Sequence, residues 1–119
     1  MSKEYKKAIA LTRTNGIGNE INKHAFQTIR IAEFAQQKNL TVKQYFAYNT
    51  ADACGEGITD MMQAILTYLR HHPDVKHLIV TNPDRICRSY SLYEMFDNHL
   101  AGLGVSIEAP GFHDEEENL

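Results

Sequence analysis

The stretch VKHLIVTNPDRICRSY, residues 75–90, contains the pattern that decides the fold. It opens with a mostly apolar run, residues 75–80, which is typical of a buried strand. Asn82-Pro83-Asp84 then predicts a turn, because proline and short polar side chains favour turn geometry. From residue 90 to residue 103 apolar side chains recur at helical spacing. The stretch therefore predicts a strand, a polar loop and a helix in direct succession.

The same succession occurs twice before this stretch, and one more strand follows it. Strands are predicted at residues 7–11, 41–48, 75–80 and 105–108. Helices are predicted at residues 21–37 and 90–103, and a third helix runs from a cap at Thr59 or Asp60 to residue 70. Parallel neighbours need crossover connections, and the connections here are helical. The order predicts an α/β fold with a mostly parallel sheet of four to five strands and helices on both faces.

Length and composition indicate the number of domains and the cellular compartment. With 119 residues, of which 43% are hydrophobic and 23% charged, the chain can form one domain with its own core. We expect this domain over residues 1–110 and an acidic tail without fixed structure over residues 111–119. No signal-peptide pattern or membrane-length apolar run occurs, so we expect a soluble, cytoplasmic protein without membrane contact.

Charge and cysteine content narrow the possible ligands. The net charge of -3 argues against a protein that coats nucleic acid, although a local arginine cluster can still hold one phosphate. Cys54 and Cys87 lie far apart and have no histidines at metal-ligand spacing. We therefore expect no metal, no disulfide and no cofactor.

Three arginines occupy loops that the predicted sheet brings to one edge. Arg13 follows the first strand, and Arg85 and Arg88 follow the third. Ligands of such sheets bind at the carboxyl ends of the strands. Guanidinium groups hold phosphate through paired donors and stabilise the charge that develops when it is attacked. The alternative is an ordinary salt bridge, for which Asp84 and Asp52 are available.

The sequence around these arginines resembles a known family. DRICR, residues 84–88, is similar to the Asp-Arg-x-x-Arg motif of serine recombinases of the resolvase and invertase type. LTRTN, residues 11–15, is similar to that family's Tyr-x-Arg-Val-Ser, and Gln27 matches a glutamine common on its first helix. GLGV, residues 102–105, resembles the approach to its next strand. The resemblance covers residues 6–108.

This resemblance implies a fold, a chemistry and a set of site residues. In the family's catalytic domain a serine attacks a DNA phosphodiester and forms a covalent 5′-phosphoserine link, and no metal is required. The phosphate- and DNA-binding residues carried over are Arg13, Gln27, Asp84, Arg85 and Arg88. The implied activity is DNA recombination by strand exchange.

The departures from the family concern the nucleophile. Asn15 stands at the position of the catalytic serine and Leu11 at that of the tyrosine, and the arginine of the second loop has no counterpart. An amide side chain is not activated to attack phosphorus. Thr12 and Thr14 are predicted to face away from Arg13, because side chains alternate along a strand. We expect catalysis to be lost.

Three functions remain open from the sequence. The first is a recombinase-derived pseudoenzyme of a mobile element that acts as a binding or regulatory module, with DNA, a full-length recombinase or a second copy of itself as partner. The second is a phosphoryl- or nucleotide-binding enzyme that uses Arg13, Arg85 and Arg88. The third is a flavodoxin-like domain whose arginine motif matches by chance.

Overall fold

The computed structural model describes residues 5–14, 20–49, 56–87 and 89–110. In chain order its elements are β1 (Lys6–Thr14), α1 (Glu20–Gln37), β2 (Leu40–Asn49), α2 (Glu56–His71), β3 (Val75–Ile79), a 3-10 helix (Pro83–Arg85), α3 (Tyr90–Gly102) and β4 (Ser106–Glu108). Within these residues the four strands form one sheet in the order β2-β1-β3-β4, and every pairing is parallel. The predicted α/β class and parallel sheet are confirmed.

The two faces of β1 belong to two different cores. Ile9 and Leu11 are fully buried in a cluster that contains the apolar residues of α2 and α3. Ala8 and Ala10 belong to a second cluster, with Ile31 and other apolar residues of α1. Because side chains alternate along a strand, the clusters lie on opposite sides of the sheet. Helices therefore cover both faces, as predicted.

The register of β1 creates an opening at the carboxyl edge of the sheet. β1 pairs with β2 along its whole length, from Lys6 to Thr14, but with β3 only from Lys7 to Ala10. The predicted strand ended at Leu11 and is longer in the structure, because β2 offers ladder partners as far as Asn49. The last residues of β1 thus extend past β3, at the point where the strand order reverses.

The helices differ from the prediction mainly at their starts. α2 begins at Glu56, so the predicted caps Thr59 and Asp60 lie inside the helix and are exposed. Capping side chains are compatible with a helix interior when they point to solvent. Ser89 caps α3, where its hydroxyl accepts a hydrogen bond from the backbone N–H of Leu92. No helix in the described ranges is both long and apolar enough to cross a bilayer.

Candidate functional site

Arg13 lies near the end of β1, and the side-chain amide of Gln27 holds its backbone. The Arg13 N–H donates to Gln27 Oε1 at 3.0 Å, and Gln27 Nε2 donates to the Arg13 carbonyl at 2.9 Å. Gln27 is 6% exposed. At this level β3 no longer pairs with β1, so the glutamine of α1 satisfies backbone groups that would otherwise be buried without partners.

The Arg13 side chain connects the ends of β1 and β3. Its Nε donates to the backbone carbonyl of Arg85 at 2.7 Å, and Arg85 ends the 3-10 helix after β3. Arg13 is 6% exposed, whereas Arg85 is exposed. A guanidinium keeps its charge when buried, so it requires hydrogen-bond acceptors in place of water. The carbonyl of Arg85 is one such acceptor.

The structure brings three of the six predicted site residues together. Gln27, Arg13 and Arg85 form a continuous chain of hydrogen bonds across α1, β1 and the loop after β3. Asn15 and Arg88 lie outside the described residues, as does the side chain of Asp84. The roles assigned to the six remain predictions.

A second set of polar contacts at this edge was missed by the sequence analysis. Thr12 Oγ1 lies 2.7 Å from His24 Nδ1, and His24 Nε2 lies 2.6 Å from Asn49 Oδ1. Thr14 Oγ1 donates to the same Asn49 oxygen at 2.7 Å. An amide oxygen only accepts, so His24 Nε2 donates to Asn49 Oδ1. The four side chains join β1, α1 and β2.

A hydroxyl, an imidazole and an amide in this order can activate a nucleophile. Here the hydroxyls are enclosed, because Thr12 is 2% exposed and Thr14 is 1% exposed. By strand alternation both also lie on the sheet face opposite to Arg13, as predicted. The network therefore fixes the ends of β1 and β2 against α1, directly before residue 15.

The sequence offered only a weak signal for this network. His24 and Asn49 are 25 positions apart and lie in different elements. The usable clue was two threonines on one side of a strand whose parallel neighbour ends in an asparagine. Within the described residues no group of three or more potential ligands from His, Cys, Asp and Glu is placed to hold a metal.

Solved structures share this fold, although no family model and no curated protein matches the sequence. The N-terminal catalytic domain of TP901-1 integrase aligns with a TM-score of 0.74 and 14% identity, over 87% of this chain and 77% of that one. The C-terminal catalytic domain of ISC1926 TnpA, an IS607-like serine recombinase, aligns with a TM-score of 0.68 and 18% identity, over 87% and 68% of the chains. This chain has the serine recombinase catalytic fold.

A second IS607-like serine recombinase, IS1535 TnpA, supports the same conclusion. Its C-terminal catalytic domain aligns with a TM-score of 0.64 and 20% identity, over 85% of this chain and 69% of that one. The TM-scores of the three alignments establish a common serine recombinase fold, which the resemblance in the sequence had predicted.

Proposed function

We propose that this chain is a resolvase/invertase-like recombinase domain that binds DNA phosphate without cutting it and acts as a binding or regulatory module. One observation carries the proposal. In a serine recombinase fold, Arg13 is held by Gln27 and joined to Arg85 at the carboxyl edge of the sheet, and the residue two positions later is Asn15. Arg13 and Arg85 of the expected phosphodiester site are retained, while the arginine of the second loop is missing and an amide stands in the place of the nucleophile.

The loss of catalysis follows from the chemistry of Asn15. Attack on a phosphodiester needs a strong nucleophile, such as a hydroxyl that a base deprotonates, and a carboxamide is a poor one because its nitrogen lone pair is delocalised into the carbonyl. The nearby hydroxyls of Thr12 and Thr14 are enclosed and bonded to His24 and Asn49. They are in no position to replace a serine at residue 15.

The two described arginines have different parts in the proposed phosphate site. Arg13 is buried and bonded to the Arg85 carbonyl, so it sets the position of the loop after β3. Arg85 is exposed and supplies the charge that meets a phosphate first. Arg88 and Asp84 follow in the same motif, and we assign them to the same site.

The regulatory part of the proposal is supported by an apolar face on α1. Ile21, Phe26 and Ile29 are 86%, 70% and 55% exposed. Such a cluster on a helix marks a surface for another protein. A net charge of -3 makes strong DNA binding by this domain unfavourable without a partner. Association with a full-length recombinase or with a second copy therefore accompanies the weak phosphate contact.

An adduct assay tests the catalytic part. The wild type and Asn15→Ser are incubated with DNA of many sequences, and the protein is analysed by mass spectrometry for an attached nucleotide. We expect no adduct on the wild type and an adduct on Asn15→Ser, which would show a phosphate site that lacks only its nucleophile. An adduct on the wild type would overturn the proposal.

A binding assay tests the phosphate site independently of catalysis. Arg85→Gln should weaken DNA binding about 10-fold at low salt, because one charged contact to phosphate is lost. Arg70→Gln is the matched control, since it removes the same charge from the exposed end of α2. Equal losses in the two variants would show that only net charge matters and would contradict a site at Arg85.

A further inference from the structure

A cavity lies at the opposite end of the sheet from the arginines. Its volume is about 550 Å³, and its walls come from the amino-terminal ends of β1 and β3 and from the segment that leads into β4. Lys7 and Arg13 are six residues apart on β1, so about 20 Å of strand separates the two regions at roughly 3.3 Å per residue. The cavity is thus independent of the proposed recombinase site.

The charged groups of this cavity are mostly positive. Lys6, Lys7 and Lys76 line it, and among its described lining residues Asp74 is the one carboxylate. The whole chain has a net charge of -3, so the positive charge of this concave surface is opposite in sign to the net charge of the protein. A concave cationic surface attracts anions more strongly than scattered lysines do.

Two of the ammonium groups are already held in place. Lys7 Nζ donates to Asp74 Oδ2 at 2.5 Å, and Lys76 Nζ donates to the Leu103 carbonyl at 3.2 Å. An ammonium has three N–H donors, and each of these contacts uses one. The remaining donors of an ordered lysine bind a ligand with a smaller entropy cost than those of a mobile one.

Gly104 lies in the wall of the cavity beside Lys76. It has a φ of +75°, and a Cβ placed on it would lie 3.2 Å from Lys76 Nζ. A side chain here would strain the backbone and displace the flexible end of Lys76. Tyr5, which is 54% exposed, adds an aromatic ring at the rim. An aromatic ring beside several ammonium groups matches a ligand that combines a flat base with phosphate.

We propose that this lysine pocket binds the phosphate of a nucleotide, with Lys76 as its main contact, Lys7 beside it and the ring of Tyr5 against the base. The phosphate can come from a free mononucleotide or from the end of a nucleic acid strand, since both present the same anion. The site does not depend on the proposed function, because none of its lining residues belongs to the arginine motif.

Titration of the complete 119-residue chain with adenosine monophosphate, followed by ¹H–¹⁵N NMR, tests the pocket. We expect shifts at residues 5–7, 74–77 and 104–106 and a Kd of about 1 mM or lower. Adenosine without phosphate should bind at least about 10-fold more weakly, since it lacks the charge-assisted contacts. No shifts at these residues up to about 10 mM, or equal binding of adenosine, would overturn the proposal.

Variants locate the site. Lys76→Gln should weaken binding about 10-fold, with unchanged circular dichroism because the residue is exposed. Lys43→Gln on the edge strand β2 is the matched control for charge and should bind like the wild type. If Lys43→Gln loses as much as Lys76→Gln, the pocket is not the site.

A second ligand distinguishes the source of the phosphate. A short single-stranded oligonucleotide with a 5′-phosphate is compared with the same oligonucleotide without it. Tighter binding of the phosphorylated strand than of the mononucleotide would assign the pocket to nucleic acid ends, and the reverse would assign it to free nucleotides. Binding of both strands with equal affinity, unchanged in Lys76→Gln, would overturn the proposal.

Discussion

At the scale of single residues, Gln27 is expected to stabilise the fold through its two hydrogen bonds to the backbone of Arg13. Gln27→Leu keeps the side chain's approximate size but removes the acceptor for the Arg13 N–H and the donor to the Arg13 carbonyl. We expect the free energy of unfolding to fall by about 2 kcal/mol or more, measured by urea denaturation. Gln36→Leu, on the exposed side of the same helix, should change it by less than about 0.5 kcal/mol. Similar values for the two variants would contradict the role of Gln27.

The residues of the site differ in how well a sequence can reveal them. Arg13 and Arg85 were predicted from their places after two strands of the sheet, and Gln27 from the resemblance to a family; the structure shows that the three lie together. That Gln27 contacts the backbone of Arg13 was not predictable, because it depends on β3 ending before that level. His24 and Asn49 were missed because their contact depends on the register of β1 with β2.

At the scale of the elements, the start of α3 depends on Ser89. Ser89→Ala removes the acceptor for the Leu92 N–H, and we expect it to lower the free energy of unfolding by about 1 kcal/mol. Ser89→Asp keeps an acceptor at the same position and should restore most of the loss. If the aspartate variant were as unstable as the alanine variant in urea, the hydroxyl would not be acting as a cap.

The ion pair between β1 and the residue before β3 gives a prediction about acid stability. The hydrogen bond from Lys7 holds the pKa of Asp74 below its usual value of 3.8. A carboxyl whose pKa is lowered on folding stabilises the fold above its unfolded pKa and loses this effect as the pH falls through the folded pKa. Asp74→Asn should therefore be less stable than the wild type at neutral pH and equally stable at about pH 2.

Thermal unfolding across this pH range measures the effect of Asp74. Lys7→Gln supplies the control, because Asp74→Asn should change little once the lysine is absent. A difference between Asp74→Asn and the wild type that stayed constant down to the lowest pH would show that the carboxylate charge is not responsible.

The elements themselves followed from the sequence, but several of their ends did not. Apolar spacing located all three helices and all four described strands, because burial on the sheet requires that spacing. β1 continues to Thr14 through polar residues, which became strand only because β2 pairs beside them. α2 starts at Glu56, three residues before the first predicted cap, since Thr59 and Asp60 tolerate an exposed helix position.

At the scale of the whole molecule, the apolar face of α1 predicts concentration-dependent association. Phe26→Gln should weaken self-association, or association with a full-length recombinase, by about 10-fold and leave thermal stability unchanged, because the ring is 70% exposed. Sedimentation velocity measures this, and Tyr90→Gln, which removes an 80% exposed ring from α3, is the matched control. A wild type that stayed monomeric with and without a recombinase would contradict the association.

The central position of β1 has a consequence for biosynthesis. β1 leaves the ribosome before the other described strands, but one side of it is completed only by β3, which ends at Ile79. β1 has an open edge until Ile79 has emerged, and Ile9 and Leu11 lack the cover of α3 until Gly102 has emerged. Exposed apolar surface and unpaired edges make nascent chains prone to aggregation. The interval between the emergence of β1 and that of α3 is therefore a stage of synthesis at which chaperones should protect this chain.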